Sequence, residues 1–260
     1  MKEERGIRGN YTRTQSTNEI VIQIKDLHKS FDENKVLNGF NMLLYKGENL
    51  VIMGKSGSGK TVMIKCLAGL MQPDSGSIEV MGREITQLGH KDLDDLRADI
   101  GFLFQGSALY DSMTVQENLE FPLRRHKRKQ KNRGNTDDLV REALENVGLA
   151  HTVNLMPVEL SGGMKRRVAL ARTLIMKPKI ILYDEPTSGL DPITSKEIVE
   201  LMRTIQKKYD TSSIIITHDV DCARVISDRM ILLVDGINYA EGTYKELSEA
   251  SDPKIKAFFK

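Results

Sequence analysis

One glycine-rich stretch limits the possible folds of this 260-residue chain more than any other part of its sequence. Residues 54–61 read Gly-Lys-Ser-Gly-Ser-Gly-Lys-Thr; they follow the apolar run 50–53 and precede a helical segment that begins at Lys60. This strand–loop–helix order is the context that the P-loop pattern requires. Glycines let successive N–H groups point inward at phosphate oxygens, and the helix adds the positive end of its dipole. The pattern therefore predicts a phosphate cradle in which Lys60 reaches the β- and γ-phosphates and the Thr61 hydroxyl binds Mg²⁺.

Apolar runs elsewhere predict the sheet that carries this loop. Six runs are strand-like: 20–24, 49–53, 100–104, 180–183, 213–217 and 230–234. Several of them have the nearly continuous hydrophobicity of strands buried on both faces of a parallel sheet. Helical periodicity alternates with many of them, at 60–70, 164–175, 193–208 and 220–227. From about 106 to 178 the strand signal disappears, and 115–123 and 136–147 are predicted to be helices. The fold class is therefore α/β, with a parallel sheet and a helical insert.

Composition excludes several classes of protein. The 38 basic and 36 acidic residues leave a formal charge of +2, which gives no electrostatic footprint for nucleic acid, and we predict no such partner. Cys66 and Cys222 lie too far apart in sequence to indicate a disulfide framework or a zinc site, which favours a reduced cytosolic compartment. No run approaches the roughly 20 apolar residues that span a bilayer, so action at a membrane requires a partner with spanning helices. Residues 1–18 are polar and are predicted to be a disordered leader before a domain at 19–260.

The P-loop alone does not show whether the chain is a kinase, a GTPase or a transport ATPase. A glycine-rich turn that binds no ligand is a further interpretation of the same residues. Polar residues at the ends of other strands narrow the choice. Asp184 and Glu185 follow the run 180–183, and ligands of α/β sheets gather at the carboxyl ends of strands. We therefore expect both acids beside the P-loop, with Asp184 holding Mg²⁺ in its second coordination shell or through water and Glu185 orienting and polarising the attacking water. The alternative interpretation is that these two acids only solvate the end of the strand.

Two further strand ends complete the predicted catalytic set. His218 follows the apolar run 213–217 and is placed to hydrogen-bond the γ-phosphate, although in isolation it would be interpreted as structural. Gln105 follows the run 100–104, and its amide is placed to sense Mg²⁺ or the attacking water. The predicted catalytic residues are thus Glu185, His218, Gln105 and Lys60, and the predicted metal ligands are Thr61, Gln105 and Asp184.

A second anion site is encoded by Leu160-Ser161-Gly162-Gly163-Met164, in which a serine caps a helix that begins with glycines. Two γ-phosphate sites in one chain make sense if each serves a different ATP across a dimer. With this segment, the sequence from about Ile20 to its end resembles the ABC ATPase family. The resembling motifs follow in order: an aromatic at Phe31, the P-loop, Gln105, the 160–164 signature, Asp184-Glu185, the 188–191 D-loop and His218.

The resemblance implies a P-loop NTPase core with an N-terminal antiparallel β portion, a helical insert and a C-terminal helical tail at about 243–260. It implies a head-to-tail homodimer that sandwiches two ATPs between the P-loop and the opposing signature, with Asp191 contacting the partner's P-loop. The implied nucleotide-binding positions are Phe31, Gly54, Ser56, Gly57, Ser58, Gly59, Lys60, Thr61, Val62, Ser161, Gly162, Gly163 and Asp191. Two residues depart from the family pattern: Met164 replaces the usual Gln, and Val62 replaces a second hydroxyl residue.

Shorter stretches resemble one subgroup, the ATPases of MCE-associated lipid transporters, including the Mla system. They are 106–115, 117–118, 121–123, 191–194 and 251–253. This resemblance implies phospholipid cargo, a separate permease, an MCE-type lipid-binding protein and a peripheral location on the cytoplasmic face of the inner membrane. The alternatives are an amino-acid importer, a lipoprotein-release system and a cell-division complex. A chromosome-organising ABC ATPase would need a long coiled coil, and a translation factor would need two cassettes; the sequence has neither.

Three segments keep two interpretations each. Around Leu109, Tyr110, Met113 and Glu117 we expect either the groove that receives the permease or the core of the insert. The basic run 124–131 is either a solvated loop or a contact for anionic headgroups or an acidic partner. The end of the chain, through Ile255, Phe258 and Phe259, packs either on a neighbouring subunit or on its own domain.

Overall fold

The structure is a computed structural model that describes residues 7–8, 19–126 and 135–259, with side chains described in the last two ranges. The strands are β1 (Ile7–Arg8), β2 (Ile20–Phe31), β3 (Asn34–Tyr45), β4 (Asn49–Met53), β5 (Ser75–Val80), β6 (Arg83–Glu84), β7 (Ile100–Leu103), β8 (Ile180–Asp184), β9 (Ser212–Ile216), β10 (Arg229–Val234) and β11 (Ile237–Gly242). The α-helices are α1 (Lys60–Leu67), α2 (His90–Arg97), α3 (Val115–Arg125), α4 (Thr136–Glu145), α5 (Gly162–Leu174), α6 (Pro192–Tyr209), α7 (Val220–Ile226), α8 (Tyr244–Ser248) and α9 (Pro253–Lys256).

The contacts divide the chain into two units. Unit 1 contains Met1–Asp95 and Ser212–Lys260, and unit 2 contains Leu96–Thr211. Most of the predicted leader and of the basic run 124–131 lies outside the described residues. None of the helices in the described part of the chain has the length and hydropathy needed to cross a bilayer.

Unit 1 is built on a mixed sheet with the strand order β1-β11-β10-β4-β9. The strand before the P-loop, β4, pairs in parallel with both β9 and β10, and β11 returns antiparallel to β10. All five residues of β4 are buried, as are all five of β9. Strands covered on both faces read as continuous apolar runs, which is why the sequence located them to within one residue.

A second, antiparallel sheet of unit 1 has the order β3-β2-β5-β6. Its strands β2 and β3 are each 12 residues long and pair along most of their length with several register shifts. The prediction for β2 was too short, since it stopped at residue 24, and β3 and β5 were not located from the sequence. Burial along β3 is irregular, because polar residues and Gly39 interrupt its apolar positions.

In its described residues, unit 2 contains the parallel pair β7–β8 and the α-helices α3, α4, α5 and α6. The helix α5 is its centre, packing against β7, α3, α4 and α6. Seven of its 13 residues are buried, which explains why its apolar stripe was visible in the sequence. Several predicted ends were wrong by a few residues: β7 ends at Leu103 rather than at 104, and α1 ends at Leu67 rather than at 70.

A buried cluster of ion pairs and hydrogen bonds in unit 1 connects the start of β10 to the residue before β4 and to the strands β11 and β3. Arg229, at the start of β10, is 2% exposed and donates from Nε and Nη2 to Glu48 at 2.8 and 3.0 Å. It also donates to Glu241 of β11 and, at 2.6 Å, to the carbonyl of Leu43 in β3. Burial lowers the pKa of the guanidinium, but the hydrogen bonds and charge of Glu48 outweigh that effect and leave the pKa raised. The cluster fixes the residue just before β4, and therefore the strand that leads to the P-loop.

Candidate active site

The P-loop backbone requires glycine at three points. Gly57 and Gly59 have φ angles of +79° and +102°, in the left-handed region that glycine adopts most easily. A Cβ atom on Gly54 would lie 2.9 Å from the carbonyl oxygen of Leu233, which excludes a side chain there. The loop between β4 and α1 therefore follows a path that only its glycines permit.

Polar groups of the loop are arranged to receive an anion. The Nζ of Lys60 donates to the carbonyls of Gly54 at 2.6 Å and Lys55 at 3.0 Å, so its charge lies over the loop. The buried Oγ of Ser58 has no hydrogen-bond partner among the described residues. Gly59, at the N-cap of α1, supplies no side chain to accept from the first N–H groups of that helix. Uncapped N–H groups, an ammonium group and a buried hydroxyl are the donors that phosphate oxygens accept from.

Thr61 is exposed at the start of α1, so its hydroxyl is accessible to a metal ion. Hydroxyl, amide and carboxylate oxygens suit Mg²⁺, and these are the groups of Thr61, Gln105 and Asp184. Val62 is half-buried, and it brings no hydroxyl to the nucleotide-binding positions. Ser56 is exposed in the loop.

Phe31 presents an aromatic face at the end of β2. Its side chain is 44% exposed. The Nζ of Lys29 lies 5.7 Å from the centroid of the Phe31 ring and is itself bound by Asp74 at 2.6 Å. An exposed ring of this kind is available to stack on a planar base.

A cavity of about 780 Å³ lies along P-loop residues 55–58, within the size range of ligand pockets. Val36 and Phe258 also line it. The end of the chain packs on its own domain, since Ile255 is fully buried and the ring of Phe259 lies edge-on to Tyr244 at 5.5 Å. Of the two interpretations of this segment, the structure supports the second.

His218 lies at the same sheet edge as the P-loop. In the parallel pairing of β4 with β9, Ile52 is opposite Ile216, and two residues further along lie Gly54 and His218. His218 is exposed, whereas Thr217 before it is fully buried. Unit 1 therefore brings together the P-loop and the predicted catalytic residue His218.

Unit 2 brings a second set together by the same principle. In the parallel pairing of β7 with β8, Leu103 is opposite Tyr183, so Gln105 and Glu185 follow at the same sheet edge. The Nε2 of Gln105 donates to the Oγ of Ser188 at 3.2 Å. Glu185 has a φ of +49°. Non-glycine residues adopt this left-handed region rarely, and those that do are concentrated at functional sites. Asp184 and Glu185 are both half-buried.

The signature segment forms the beginning of α5. The Oγ of Ser161 caps this helix by accepting from the N–H of Met164 at 3.2 Å, so the residue that departs from the family pattern contributes only its backbone to the cap. A Cβ atom on Gly163 would lie 2.7 Å from Cγ2 of Thr194, so the close approach of α5 to α6 requires glycine. Ser161 and Gly162 remain exposed at the helix N-terminus, where an anion is favoured.

Asp191 caps α6 within its own chain. Its carboxylate accepts from the N–H groups of Ile193 and Thr194, both at 3.0 Å, and from the Thr194 hydroxyl at 2.5 Å. The hydrogen bond from the Thr194 side chain is the largest of several effects that lower the pKa of this carboxyl. The residue therefore has a structural role in addition to the partner contact that the sequence predicted.

Two buried or half-buried arginines of α5 were missed by the sequence analysis. Arg166 is 4% exposed and donates to the carbonyls of Phe104 at 2.8 Å and Ser188 at 3.2 Å. Arg172 donates to the carbonyls of Ala108 at 2.7 Å and Ser107 at 3.1 Å. Helical spacing was the available signal, since Arg166 is four and seven residues from the buried positions 170 and 173.

The segment 106–114 is shaped by the buried amide of Asn118. Its Nδ2 donates to the carbonyls of Tyr110, Met113 and Thr114 at 3.0–3.1 Å, and its Oδ1 accepts from the Tyr110 N–H at 2.8 Å. The ring of Tyr110 is 43% exposed and lies 4.8 Å from that of Phe121, also partly exposed. Glu117 completes a capping box with Thr114 at the start of α3. Tyr110 is therefore not part of the buried core of the insert.

Comparisons with known proteins agree on one family. A family model described as ABC transporter matches residues 37–188. A methionine import ATP-binding protein of Clostridium tetani is 40% identical over 237 residues, which cover 91% of this chain and 73% of that protein. A probable ribonucleotide transport ATP-binding protein of Mycobacterium leprae is 37% identical, with 92% and 68% covered. The chloroplastic protein TRIGALACTOSYLDIACYLGLYCEROL 3 of Arabidopsis thaliana is 34% identical, with 99% and 76% covered.

Among solved structures, the dimer of an ATP-binding cassette in a post-hydrolysis state, bound to ADP and Pi, is similar to this chain. The two share 32% sequence identity and superpose with a TM-score of 0.76. The match covers 86% of this chain and 98% of that one.

Proposed function

Since this chain belongs to the ABC transporter family of ATP-binding proteins, we propose that its ATP hydrolysis drives phospholipid transport through a separate permease. The fold is that of the ABC ATPases, and ATP is the substrate of that family. The roles of individual residues below, and the cargo, are part of the proposal.

The P-loop carries the ATP-binding part of this proposal. The uncapped start of α1, the Lys60 ammonium group and the Ser58 hydroxyl supply donors to the phosphates from three directions. Gly54, Gly57 and Gly59 let the backbone approach without a side chain between it and the ligand. Phe31 supplies the face on which adenine stacks.

Hydrolysis requires positioning and neutralisation of charge rather than a covalent intermediate. Glu185 accepts a hydrogen bond from the attacking water and polarises it, His218 donates to the γ-phosphate, and Gln105 orients the water or the metal. Bound Mg²⁺, held by Thr61, Asp184 and Gln105, would neutralise charge on the transferred phosphoryl group.

The signature supports a dimer as the working form. Ser161, Gly162 and Gly163 offer an exposed helix N-terminus that suits a phosphate group, in addition to the P-loop of the same chain. A head-to-tail homodimer gives this second anion site an ATP to bind, and the similar cassette structure is dimeric. Asp191, at the N-cap of α6, would contact the partner's P-loop.

Glu185→Gln tests the hydrolytic role. The variant should bind ATP as the wild type does, while its turnover falls by about a thousandfold or more, the scale on which essential catalytic groups act. Glu200→Gln is the matched control, because Glu200 is an exposed acid of α6 in the same unit. Turnover by Glu185→Gln within about tenfold of the wild type would contradict the role assigned to this residue.

Lipid cargo is supported by the stretches 106–115, 117–118 and 121–123, which resemble MCE-associated ATPases, and by the Arabidopsis relative, whose name is that of a galactolipid. An MCE-type partner and a location on the cytoplasmic face of the inner membrane belong to this proposal. Amino-acid import is the second candidate, since the Clostridium relative at 40% identity is a methionine import protein.

Affinity purification from membranes distinguishes these two candidates. Bound proteins are identified and co-purified lipids quantified by mass spectrometry. Recovery of a permease, an MCE protein and enriched phospholipid is the expected result. A permease recovered with an amino-acid-binding protein, and without lipid above background, would overturn the lipid proposal and leave the ATPase function in place.

A further inference from the structure

Arg166 joins two segments that carry candidate catalytic residues of unit 2. It extends from the first turns of α5, and its two terminal nitrogens donate to the carbonyls of Phe104 and Ser188. Phe104 immediately precedes Gln105, and Ser188 lies three residues after Glu185. One guanidinium group therefore fixes the backbone beside both residues.

The same two segments are joined a second time by side chains. The Nε2 of Gln105 donates to the Oγ of Ser188 at 3.2 Å. The carbonyl of Ser188 is held by Arg166, whereas its hydroxyl is held by Gln105. The backbone connection is made by the buried side chain of Arg166, and the side-chain connection by the exposed Gln105.

We propose that Arg166 is a positioning residue for ATP hydrolysis, acting by holding the Gln105 and Ser188 segments at a fixed separation. With both backbones fixed, the hydrogen bond from Gln105 to the Oγ of Ser188 can open and re-form by rotation of the Gln105 side chain. The Ser188 hydroxyl is released whenever the Gln105 side chain rotates away from it. The inference rests on the proposed function, in which Gln105 takes part in hydrolysis.

The chemistry of this position favours arginine specifically. A guanidinium group is planar and directs several N–H groups at fixed angles, so it can hold two carbonyls of different segments at once, whereas an ammonium group lacks that fork. The recorded partners of Arg166 are both neutral carbonyls, although its side chain is almost fully buried. Burial lowers its pKa, as expected for a cation in this surrounding. Burying a charge without a carboxylate partner costs free energy. We therefore attribute the presence of arginine at position 166 to the geometry of its hydrogen bonds.

The neighbouring Arg167 provides a matched control on the same helix. Its side chain is 28% exposed and binds Glu197 at 2.6 Å and the carbonyl of Val147 at 3.4 Å. It is therefore also an arginine with two partners, but neither partner flanks a candidate catalytic residue. Replacement of Arg167 changes the helix charge equally and leaves the Gln105 and Ser188 segments in place.

The experiment compares Arg166→Met, Arg166→Lys and Arg167→Met in the purified full-length chain, measuring kcat and the dissociation constant for ATP. Arg166→Met should lower kcat by about 10- to 100-fold, the cost of misplacing a catalytic group by about 1 Å. Its dissociation constant for ATP should stay within about threefold of the wild type, since the P-loop residues are unchanged. Arg166→Lys should recover part of kcat, and Arg167→Met should stay within about twofold of the wild type.

A double-mutant cycle with Gln105→Ala separates positioning from general destabilisation. If Arg166 acts through Gln105, Arg166→Lys should lower kcat much less in the Gln105→Ala background than in the wild type. Equal losses in both backgrounds, or full kcat in Arg166→Met, would overturn the proposal. If Arg166→Met does not fold, the cycle with the milder Arg166→Lys decides the question. A wild-type chain without Mg²⁺-dependent ATPase activity would instead refute the proposed function itself.

Discussion

Removing the buried charge at the start of β10 gives the most stringent test of how unit 1 supports the P-loop. In Arg229→Met, the apolar chain of methionine fills much of the space but donates no hydrogen bonds. Glu48, which is 1% exposed, then loses both of its bonds to the guanidinium, and the Leu43 carbonyl loses its donor. A buried carboxylate without its partner is the situation in which charge burial destabilises most.

The magnitude follows from the groups left behind. Breaking a buried ion pair by removing one partner costs about 3–5 kcal/mol. Glu48 keeps one donor, the N–H of Tyr45 at 2.9 Å, which places the expected loss near the lower end, about 3 kcal/mol. For a chain of this size, that loss lowers Tm by roughly 6–12 °C. Glu48→Gln in the Arg229→Met background removes the stranded charge and should recover about 1–2 kcal/mol.

The assay is thermal and urea unfolding followed by circular dichroism, with ATP binding measured on the folded variant. Arg224→Met is the control, because Arg224 pairs with Asp221 at the surface, where the two side chains are 59% and 76% exposed. An exposed pair contributes about 0–1 kcal/mol, so this variant should melt within about 4 °C of the wild type. A loss below about 1 kcal/mol in Arg229→Met, or no recovery in the double variant, would refute this reasoning.

Three further predictions concern unit 2. Asn118→Ala should destabilise the chain by about 2–3 kcal/mol in urea unfolding, because it removes one side-chain donor from each of three carbonyls and the acceptor of one N–H group. Asp191→Asn keeps an N-cap but removes a carboxylate whose pKa is lowered in the folded state; the wild type should therefore be more stable than the variant above pH about 4, and this difference should disappear as pH falls through the lowered pKa. Tyr110→Asp should uncouple ATP hydrolysis from transport in the reconstituted complex, while hydrolysis by the isolated chain stays within about twofold of the wild type.

Each of these predictions has an outcome that contradicts it. For Asn118, a loss no larger than that of Gln116→Ala, a half-buried neighbour with side-chain partners, would show that the amide network contributes little. For Asp191, parallel pH profiles of wild type and variant would show that the carboxylate has the same pKa in both states. For Tyr110, loss of both activities, or of neither, would place the permease contact elsewhere.

The sequence was sufficient to locate the strands that are buried on both faces of the sheet. The strand β4 was located without error, and β8 and β9 to within one residue, because a run of residues that all avoid water has one interpretation. The strand β3 was missed for the opposite reason, since its residues alternate irregularly between buried and exposed and its register shifts several times against β2. Pairing with a distant strand, rather than local hydrophobicity, determines its conformation.

The residues of the candidate site also divide into those that could be recognised from the sequence and those that could not. Glycines 57 and 59 were recognisable because their backbone conformation is encoded by residue type. Arg166 was not recognisable, since in sequence it stands in the basic triplet Lys165-Arg166-Arg167, which looks like a solvated face. Its neighbours are half-buried while Arg166 is buried, and this difference depends on segments about 20 and 60 residues away in sequence that supply the two carbonyls.

The order of strands in the sheet of unit 1 also has a consequence during synthesis. The antiparallel strands β2, β3 and β5 are close in sequence and can pair as soon as they leave the ribosome. The strand β4, although it comes among them, has β9 and β10 as its sheet neighbours, and both are made only after the whole of unit 2. A nascent chain that has not reached residue 234 therefore carries an intact P-loop sequence on a strand with an incomplete sheet. We therefore expect nucleotide binding to be among the last properties that the growing chain acquires.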